Sequence, residues 1–447
     1  MVSGLCIVLS SIKSLSRMKN KKWIIVFLII ALISVKFYYL YLSNMNNNYS
    51  TEMAYNKSDA GHYLIIAKNI SDFMVYSDIN SNVATENATW RPPFWPFILS
   101  LFFRLSSEPI YIILLKSILE LVVVLGVLFK FNNKINLKLI WLAPFFLIFI
   151  EPHYLKYSIT FLSESVTAVL IFSLAICFIT LDDLKRHHIL IPILCGLIIL
   201  CHPVSIFFIL SIFIIYLYLN YKSNFSLVLL HGLLFSLIVL AWPCRNYLTF
   251  HKGFYITASQ GATFSKGWNE RVVTQFTNVE GDLEDESINL KFIDKDILLN
   301  SDKSILSLSK LYTEGTRKFI GSISFQEKLK IIYVKLKSNF NPFPENPKPG
   351  FLETISILFR SLYLIVFLQL IYRFYTKVRI DFSSMTDRVY LIVLAIFIGQ
   401  ITMSIYVYTG LRFNSIYSLT LFFCFIFLNI DIFVQKILKL KFPVVLK

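Results

Sequence analysis

The sequence lacks the short motifs by which many soluble enzymes bind nucleotides and metals. No Gly-x-Gly triplet and no phosphate-binding loop occurs among its 447 residues, which excludes the usual nucleotide fingerprints. Its six cysteines are scattered, with no Cys-x-x-Cys pair, so neither a zinc site nor a disulfide framework is indicated. Acidic residues are few, with 27 against 43 lysines and arginines, which gives a net charge of +16. Without a nucleic-acid-binding motif, this excess is typical of cytoplasmic loops in a membrane protein.

Apolar residues are abundant instead. They make up 56% of the chain, and the mean hydropathy is +0.64, values too apolar for a soluble protein of this length. Because a span needs about 20 apolar residues, the sequence predicts an all-α polytopic membrane protein with about ten transmembrane helices and outer juxtamembrane helices. The predicted spans are residues 23–43, 109–130, 139–150, 161–181, 189–201, 203–219, 226–243, 351–373, 389–408 and 415–434.

The positions of lysine and arginine predict the orientation of these spans. Basic residues precede the first span, which places the N-terminus in the cytoplasm, and the alternating path returns the C-terminus to that side. We therefore expect a multi-pass protein of the inner or plasma membrane. Its predicted parts are a cytoplasmic N-terminus (1–22), a transmembrane catalytic module (23–243) that includes an outer loop (44–108), an outer loop with interfacial helices (244–350), C-terminal transmembrane helices (351–434) and a cytoplasmic tail (435–447).

Two further patterns mark the outer face. Four tryptophans fall at the predicted outer interface, as an aromatic belt would: Trp90, Trp95, Trp242 and Trp268. The segment 324–340 begins with a Ser-x-x-Glu capping box and then alternates lysines with apolar residues. That pattern predicts a helix lying on anionic headgroups or covering the top of the bundle.

Charged residues collect in the predicted outer turns. Asp59 opens "SDAGHYLIIAKNI", a short amphipathic helix, and it could be the helix N-cap, as could Ser58. The other candidates are His62 and Tyr63 in the same segment, Arg91 before a double proline, Glu151 and Glu164 around one turn, His202 in another, Arg245 at the end of a span, and Arg412 in the last turn. Four of these have a structural alternative: snorkelling for Arg91 and Arg245, a buried hydrogen bond for Glu164 and a turn position for His202.

A carboxylate with several cations at headgroup depth suits one chemistry. The cations would hold the phosphate of a lipid-linked donor, and the carboxylate would deprotonate an acceptor hydroxyl. The apolar interior would hold a polyprenyl tail.

Six segments resemble, in order, those of the C superfamily of integral-membrane glycosyltransferases, which use polyprenyl-phosphate sugars. The group they resemble contains the dolichyl-phosphate-mannose–protein mannosyltransferases and the aminoarabinose transferases. The segments are "SDAGHYLIIAKNI", "WRPPFWPFILSLFFRL", "ITFLSES", "LCHPVSIFFIL", "AWPCRNYLTF" and "TGLRFNSIYSLTL". The second acid that the family usually carries beside its aspartate is replaced here by Ala60-Gly61-His62, and His202 stands in place of an arginine.

The resemblance implies a polyprenyl-phosphate-sugar-dependent glycosyltransferase that acts by single displacement with inversion. Asp59 would be the catalytic base, and Arg245, Arg91 and Arg412 would bind the donor phosphate. His62, Tyr63, Glu151, Glu164 and His202 would support them. No cofactor and no metal ion is expected. The partners would be the lipid-linked donor, an acceptor protein, lipid or glycan, and membrane lipids, with no nucleic acid.

Two other functions stay open at this point. A flippase or transporter of lipid-linked glycans would line a path through the bundle centre with charge, whereas most charges here fall at one face. An O-antigen-type polymerase or ligase prefers long outer loops with paired arginines late in the chain, whereas the first large outer loop here follows the first span.

Overall fold

The computed structural model describes residues 59–131, 152–181, 189–221, 225–272, 286–302, 304–341, 343, 351–376, 381–382, 384–407 and 411–441, together with Ser34 and Lys36. All regular structure in these residues is helical, which confirms the all-α prediction. The helices are α1 (Asp59–Phe73), α2 (Phe94–Phe103), α3 (Pro109–Phe131), α4 (Pro152–Ser158), α5 (Glu164–Ile179), α6 (Leu190–Cys201), α7 (Ile206–Tyr221), α8 (Phe225–Phe250), α9 (Gln260–Gly267), α10 (Lys295–Asn300), α11 (Ile305–Ser322), α12 (Phe325–Phe340), α13 (Phe351–Thr376), α14 (Met385–Tyr406) and α15 (Leu411–Lys441). Short 3-10 helices cover Asn87–Trp90, Pro203–Ser205 and Glu286–Phe292.

Several helices are apolar enough to cross a membrane, and they mark a membrane protein. In the part of the chain that the structure describes, five stretches have the length and composition of a span: Pro109–Val127, Pro203–Tyr221, Phe225–Phe250, Thr354–Thr376 and Met385–Tyr406. The predicted spans around 164–179, 190–201 and 414–429 form shorter apolar helices. Residues 139–150, and all of 23–43 except the helical Ser34 and Lys36, lie outside the described residues. The predicted count of about ten spans is therefore not established.

Helix α5 forms the centre of the bundle. Nearly all of its side chains are buried, as expected for a helix that is apolar all round, and it packs against α3, α6 and α15. The Phe172 ring of α5 meets Phe423 of α15 edge-on at 5.5 Å. Helices α7 and α14 pack against each other on one side of this core, and α6 packs against α8. The bundle therefore holds the start of α5 and the C-terminal ends of α6 and α8 at fixed positions.

Helix α8 runs further than the sequence predicts. The predicted span 226–243 ends at Pro243, which is wrong for the helix, because it continues through that proline to Phe250. Proline lacks the N–H that would bond to the carbonyl four residues earlier, but apolar helices tolerate it where neighbouring groups satisfy the freed carbonyl. Arg245 consequently sits on the last turns of a continuous helix.

Three of the four predicted outer tryptophans face the protein interior, and Trp90 is half-buried. Trp95, Trp242 and Trp268 are buried, so they do not form the belt that their spacing suggested. Two of them donate their indole N–H to backbone carbonyls, Trp95 to Phe161 O at 2.6 Å and Trp268 to Ile405 O at 2.8 Å. Protein partners of this kind favour burial of an indole over contact with lipid headgroups.

Helix α12 confirms one prediction and distinguishes between two alternatives. Ser324 and Glu327 form the predicted capping box. Lys335 is fully buried, which favours a helix that covers the bundle over one that turns all its lysines to lipid headgroups. Its ammonium donates to Val407 O at 3.0 Å and lies 4.5 Å from the centre of the Trp268 ring. Burial holds the pKa of Lys335 well below its usual value.

Candidate functional site

Asp59 and Arg91 form an ion pair at the start of α1. The guanidinium Nη2 lies 2.5 Å from Asp59 Oδ1. Arg91 ends the 3-10 helix Asn87–Trp90 in an extended conformation, with φ −101° and ψ 143°, as expected for a residue that precedes proline. The double proline thus turns the chain where Arg91 can reach back to α1. Because a nearby cation stabilises an ionised carboxylate, the pair keeps Asp59 in the form that can accept a proton.

His62 extends this pair into a chain of polar contacts. Arg91 Nε donates to His62 Nδ1 at 3.2 Å, while His62 Nε2 lies 3.6 Å from Asp78 Oδ2. His62 therefore lies between Arg91 and Asp78, with one ring nitrogen facing each of them. Thr85 donates to the other oxygen of Asp78. Burial alone would raise the pKa of Asp78, but the interactions with His62 and Thr85 outweigh it and lower the pKa.

Tyr63 connects the pair to the start of α5. The guanidinium carbon of Arg91 lies 5.6 Å from the centre of the Tyr63 ring, and the Ser163 side chain, just before α5, acts to lower the pKa of Tyr63. Burial raises the pKa of Tyr63 far enough to keep its hydroxyl protonated, although Arg91 opposes this shift. Glu164, the buried first residue of α5, interacts electrostatically with Tyr63. Its predicted position just inside the helix is confirmed.

Tyr76 brings Arg245 to the same region. Its hydroxyl donates to Arg91 O at 2.9 Å, and the Arg245 guanidinium carbon lies 5.7 Å from the centre of its ring. Arg245 also lies 4.9 Å from the Trp242 ring and 5.3 Å from the Phe250 ring. These aromatic faces hold the cation near the C-terminal end of α8 without neutralising it. Asp59, Arg91 and Arg245 therefore collect around Tyr63 and Tyr76.

The remaining candidates fall into two groups. His202 is buried at the predicted turn after α6, where its carbonyl accepts hydrogen bonds from the amide and the hydroxyl of Ser205. This arrangement fits the turn role that the sequence left open. Glu151 lies outside the described residues, as does the side chain of Arg412, whose backbone belongs to the first turn of α15.

No metal site is evident in the described part of the chain, where no three His, Cys, Asp or Glu side chains come together. The triplet Asp294-Lys295-Asp296 has the Asp-x-Asp spacing of some metal-dependent transferases. Here Asp294 is the N-cap of α10, and its Oδ1 accepts the Asp296 amide at 2.9 Å. In this chain the two aspartates therefore form the N-terminus of a helix.

Sequence reasoning missed a buried charge cluster on α3. Lys36 Nζ lies 2.9 Å from Glu120 Oε2 and donates to Ser117 Oγ at 3.1 Å. Ser165 donates to Glu120 Oε1 at 2.6 Å, and Tyr154 donates to Oε2 at 3.3 Å. The available signal was the presence of lysines and a glutamate inside apolar runs, where ionisable residues are costly.

Lys116, one turn before Glu120, links this cluster to the site. Its ammonium donates to the carbonyls of Tyr157, Thr160 and Leu162 at 3.0, 2.7 and 3.0 Å. Those carbonyls belong to the last turn of α4 and to the segment that joins it to α5. A buried lysine therefore fixes the backbone immediately behind the site.

The comparisons with known proteins add no relative. No protein-family model, curated protein or solved structure matches the chain. The functional assignment below consequently depends on the motifs and on the geometry of this site.

Proposed function

We propose that the chain is a membrane glycosyltransferase that moves a sugar from a polyprenyl-phosphate donor to an acceptor hydroxyl. The observation that carries the proposal is the half-exposed Asp59 carboxylate, paired with Arg91. A second cation, Arg245, lies against Tyr76, whose hydroxyl bonds to the Arg91 carbonyl, near the end of a helix that could span a membrane. The resemblance of the surrounding segments to polyprenyl-phosphate-sugar transferases supports the same assignment.

Asp59 acts as the general base. The acceptor hydroxyl gives its proton to the carboxylate as its oxygen attacks the anomeric carbon of the sugar. The bond between that carbon and the phosphate oxygen breaks, and the lipid phosphate leaves with the electron pair. Attack opposite the leaving group inverts the anomeric configuration. Asp59 is 35% exposed at its side chain, so an acceptor can reach it.

Arg91 and Arg245 stabilise the donor and the leaving phosphate. Arginine suits this role because its planar fork matches phosphate oxygens. Once Asp59 has taken the proton it no longer attracts Arg91, and the guanidinium becomes available for the negative charge on the departing phosphate. Arg245 already lies in an aromatic setting that limits its hydration, which strengthens its attraction for an anion. Arg412, in the first turn of α15, would add a third cation.

Replacing Asp59 with asparagine tests the proposal. Asparagine is nearly as good an N-cap as aspartate, so the Asp59→Asn side chain can still cap α1. Its amide cannot take up the proton. We expect sugar transfer from a synthetic polyprenyl-phosphate donor, normalised to folded protein, to fall roughly 100- to 10,000-fold. Asp72→Asn is the matched control, because Asp72 is exposed on the same helix. Asp78 is unsuitable as a control, since it contacts His62.

A transporter of lipid-linked glycans is the second candidate, and the buried Lys36–Glu120 pair is the observation that favours it. Ionisable residues inside a membrane frequently line a transport path. Here, however, protein groups surround the pair and hydrogen-bond to both Glu120 oxygens. Vesicles that contain the purified chain distinguish the two functions: sugar transfer without movement of the intact lipid-linked glycan supports the enzyme, and the reverse supports the transporter.

A further inference from the structure

A cleft opens among four helices, away from the Asp59 site. Its walls come from the end of α12 and from α13, α14 and α15, and none of its lining residues belongs to α1, α2 or α8. Sites for small molecules in helical bundles commonly lie between helices. The cleft is therefore separate from the Asp59 site, and nothing in the proposed transfer reaction uses it.

Amide side chains form a connected row in the cleft. Gln400 donates to Asn414 Oδ1 at 3.1 Å, Asn414 donates to Asn339 Oδ1 at 3.1 Å, and Asn339 donates to Ser404 Oγ at 2.6 Å. These bonds join α12, α14 and α15 and orient the amides before any ligand binds. Preorganised polar groups on rigid helices are what a specific binding site requires.

Arg360 supplies a positive charge to the cleft. It lies nine residues after the start of α13, which is roughly 14 Å along the helix axis, within a stretch apolar enough to span a membrane. Its Nη2 donates to Ser356 Oγ on the same helix at 3.1 Å. An arginine at such a depth is costly, so its presence points to a function. The other residues that line the cleft carry amide, hydroxyl or apolar side chains.

The remaining wall is suited to hydrocarbon. Leu364, Phe367 and Leu421 line the cleft, and Phe367 packs against Phe340 at 5.6 Å between ring centres.

We propose that this cleft binds the phosphate-bearing headgroup of a membrane lipid. Arg360 pairs with the phosphate, because its fork matches phosphate oxygens. The Gln400–Asn414–Asn339 row hydrogen-bonds to the polar substituent on that phosphate. The hydrocarbon chain leaves along Leu364 and Phe367. Such a lipid could be a bilayer phospholipid or a polyprenyl phosphate, since both carry the same anionic group.

Native mass spectrometry of the full chain in detergent tests the proposal. The probes are dioleoyl phosphatidylglycerol, dioleoylglycerol, a polyprenyl phosphate and free glycerol phosphate. We expect phosphatidylglycerol to bind at least about tenfold more tightly than dioleoylglycerol, which has the same chains without the phosphate. Equal binding of these two lipids would overturn the proposal. Free glycerol phosphate binding as tightly as the lipid would also overturn it, because the hydrocarbon would then contribute nothing.

Variants locate the site. Arg360→Gln should weaken binding of phosphatidylglycerol roughly 10- to 100-fold, whereas Arg317→Gln, at an exposed arginine of α11, should not change it. Leu364→Trp fills the cleft with the charge retained, and it should weaken binding of both phosphate-bearing lipids. Unchanged lipid binding in Arg360→Gln or in Leu364→Trp would contradict the placement of the lipid in this cleft. If Arg360→Gln does not fold, Leu364→Trp alone tests that placement.

The polyprenyl phosphate identifies the source of the ligand. Tighter binding than phosphatidylglycerol assigns the cleft to a carrier lipid, and weaker binding assigns it to a bilayer phospholipid. Either result supports a phosphate site. No turnover is measured, so failure of this proposal leaves the proposed sugar transfer untouched.

Discussion

Two ion pairs in this protein have the same chemistry and different surroundings. In the Lys36–Glu120 pair the side chains are 4% and 2% exposed, whereas in the Arg91–Asp59 pair they are 15% and 35% exposed. A buried ion cannot leave its partner without a large desolvation cost. A half-exposed ion can exchange its partner for water or for a substrate. Burial therefore gives the first pair a structural role. Partial exposure leaves the second pair able to interact with a substrate.

The neighbours of the two pairs reinforce the difference. Glu120 accepts hydrogen bonds from Ser165 and Tyr154, so both of its oxygens are held. Arg91 spreads its contacts over Asp59, His62 and the Tyr63 ring, each of which belongs to α1. The first arrangement ties separate helices together, while the second concentrates charge at one end of a single short helix.

Breaking the buried pair should have the largest effect on stability. Glu120→Gln leaves Lys36 charged in an apolar environment, and we expect a loss of roughly 3 kcal/mol in the free energy of unfolding. Denaturation of the purified chain in detergent measures it. Glu108→Gln, at an exposed glutamate just before α3, should change stability little. Equal stability of Glu120→Gln and the parent chain would show that the pair does not hold the helices.

Removing the second cation of the site should reduce donor use while leaving the fold intact. A hydrogen bond to a charged partner contributes about 1.5–3 kcal/mol, so Arg245→Ala should weaken the apparent donor affinity roughly 10- to 100-fold. Arg245→Lys should recover only part of the loss, because lysine lacks the planar fork. Unchanged donor affinity in Arg245→Ala would mean that the residue only anchors α8 among its aromatic neighbours.

The smallest expected effect concerns pH. The pKa of Asp78 is lowered in the folded chain, so its ionised form stabilises the fold. That contribution is present above the unfolded pKa of about 4 and is lost as the pH falls through the lowered folded value. The difference in melting temperature between the parent chain and Asp78→Asn should therefore shrink from about pH 5 to pH 3. If the difference in melting temperature grew as the pH fell, the lowered pKa of Asp78 would be contradicted. Asp72→Asn is the control, because Asp72 is an exposed aspartate nearby in the sequence.

The sequence predicts local features well where a local rule determines them. The capping box at Ser324, the turn at His202 and the position of Glu164 at the start of a helix are all confirmed. Each depends on a few neighbouring residues whose backbone requirements can be read directly. Pro243 was the exception, because its effect on a helix depends on whether neighbours satisfy the freed carbonyl.

Partners distant in the sequence could not be predicted in the same way. Lys36 and Glu120 are separated by 84 positions, and Asn339 and Asn414 by 75. Their polarity within apolar segments indicates that they avoid lipid, but the choice of partner is fixed only when the helices pack. The same holds for Lys335, whose spacing on α12 resembles that of the exposed lysines although its contacts are buried.

The central claim is tested most directly by measuring transfer rate and stability in Asp59→Asn and Glu120→Gln side by side. Asp59→Asn should lose sugar transfer roughly 100- to 10,000-fold at an unchanged melting temperature. Glu120→Gln should melt lower yet retain most transfer per folded molecule. Near-normal transfer by Asp59→Asn would contradict the account and leave its carboxylate a structural partner of Arg91.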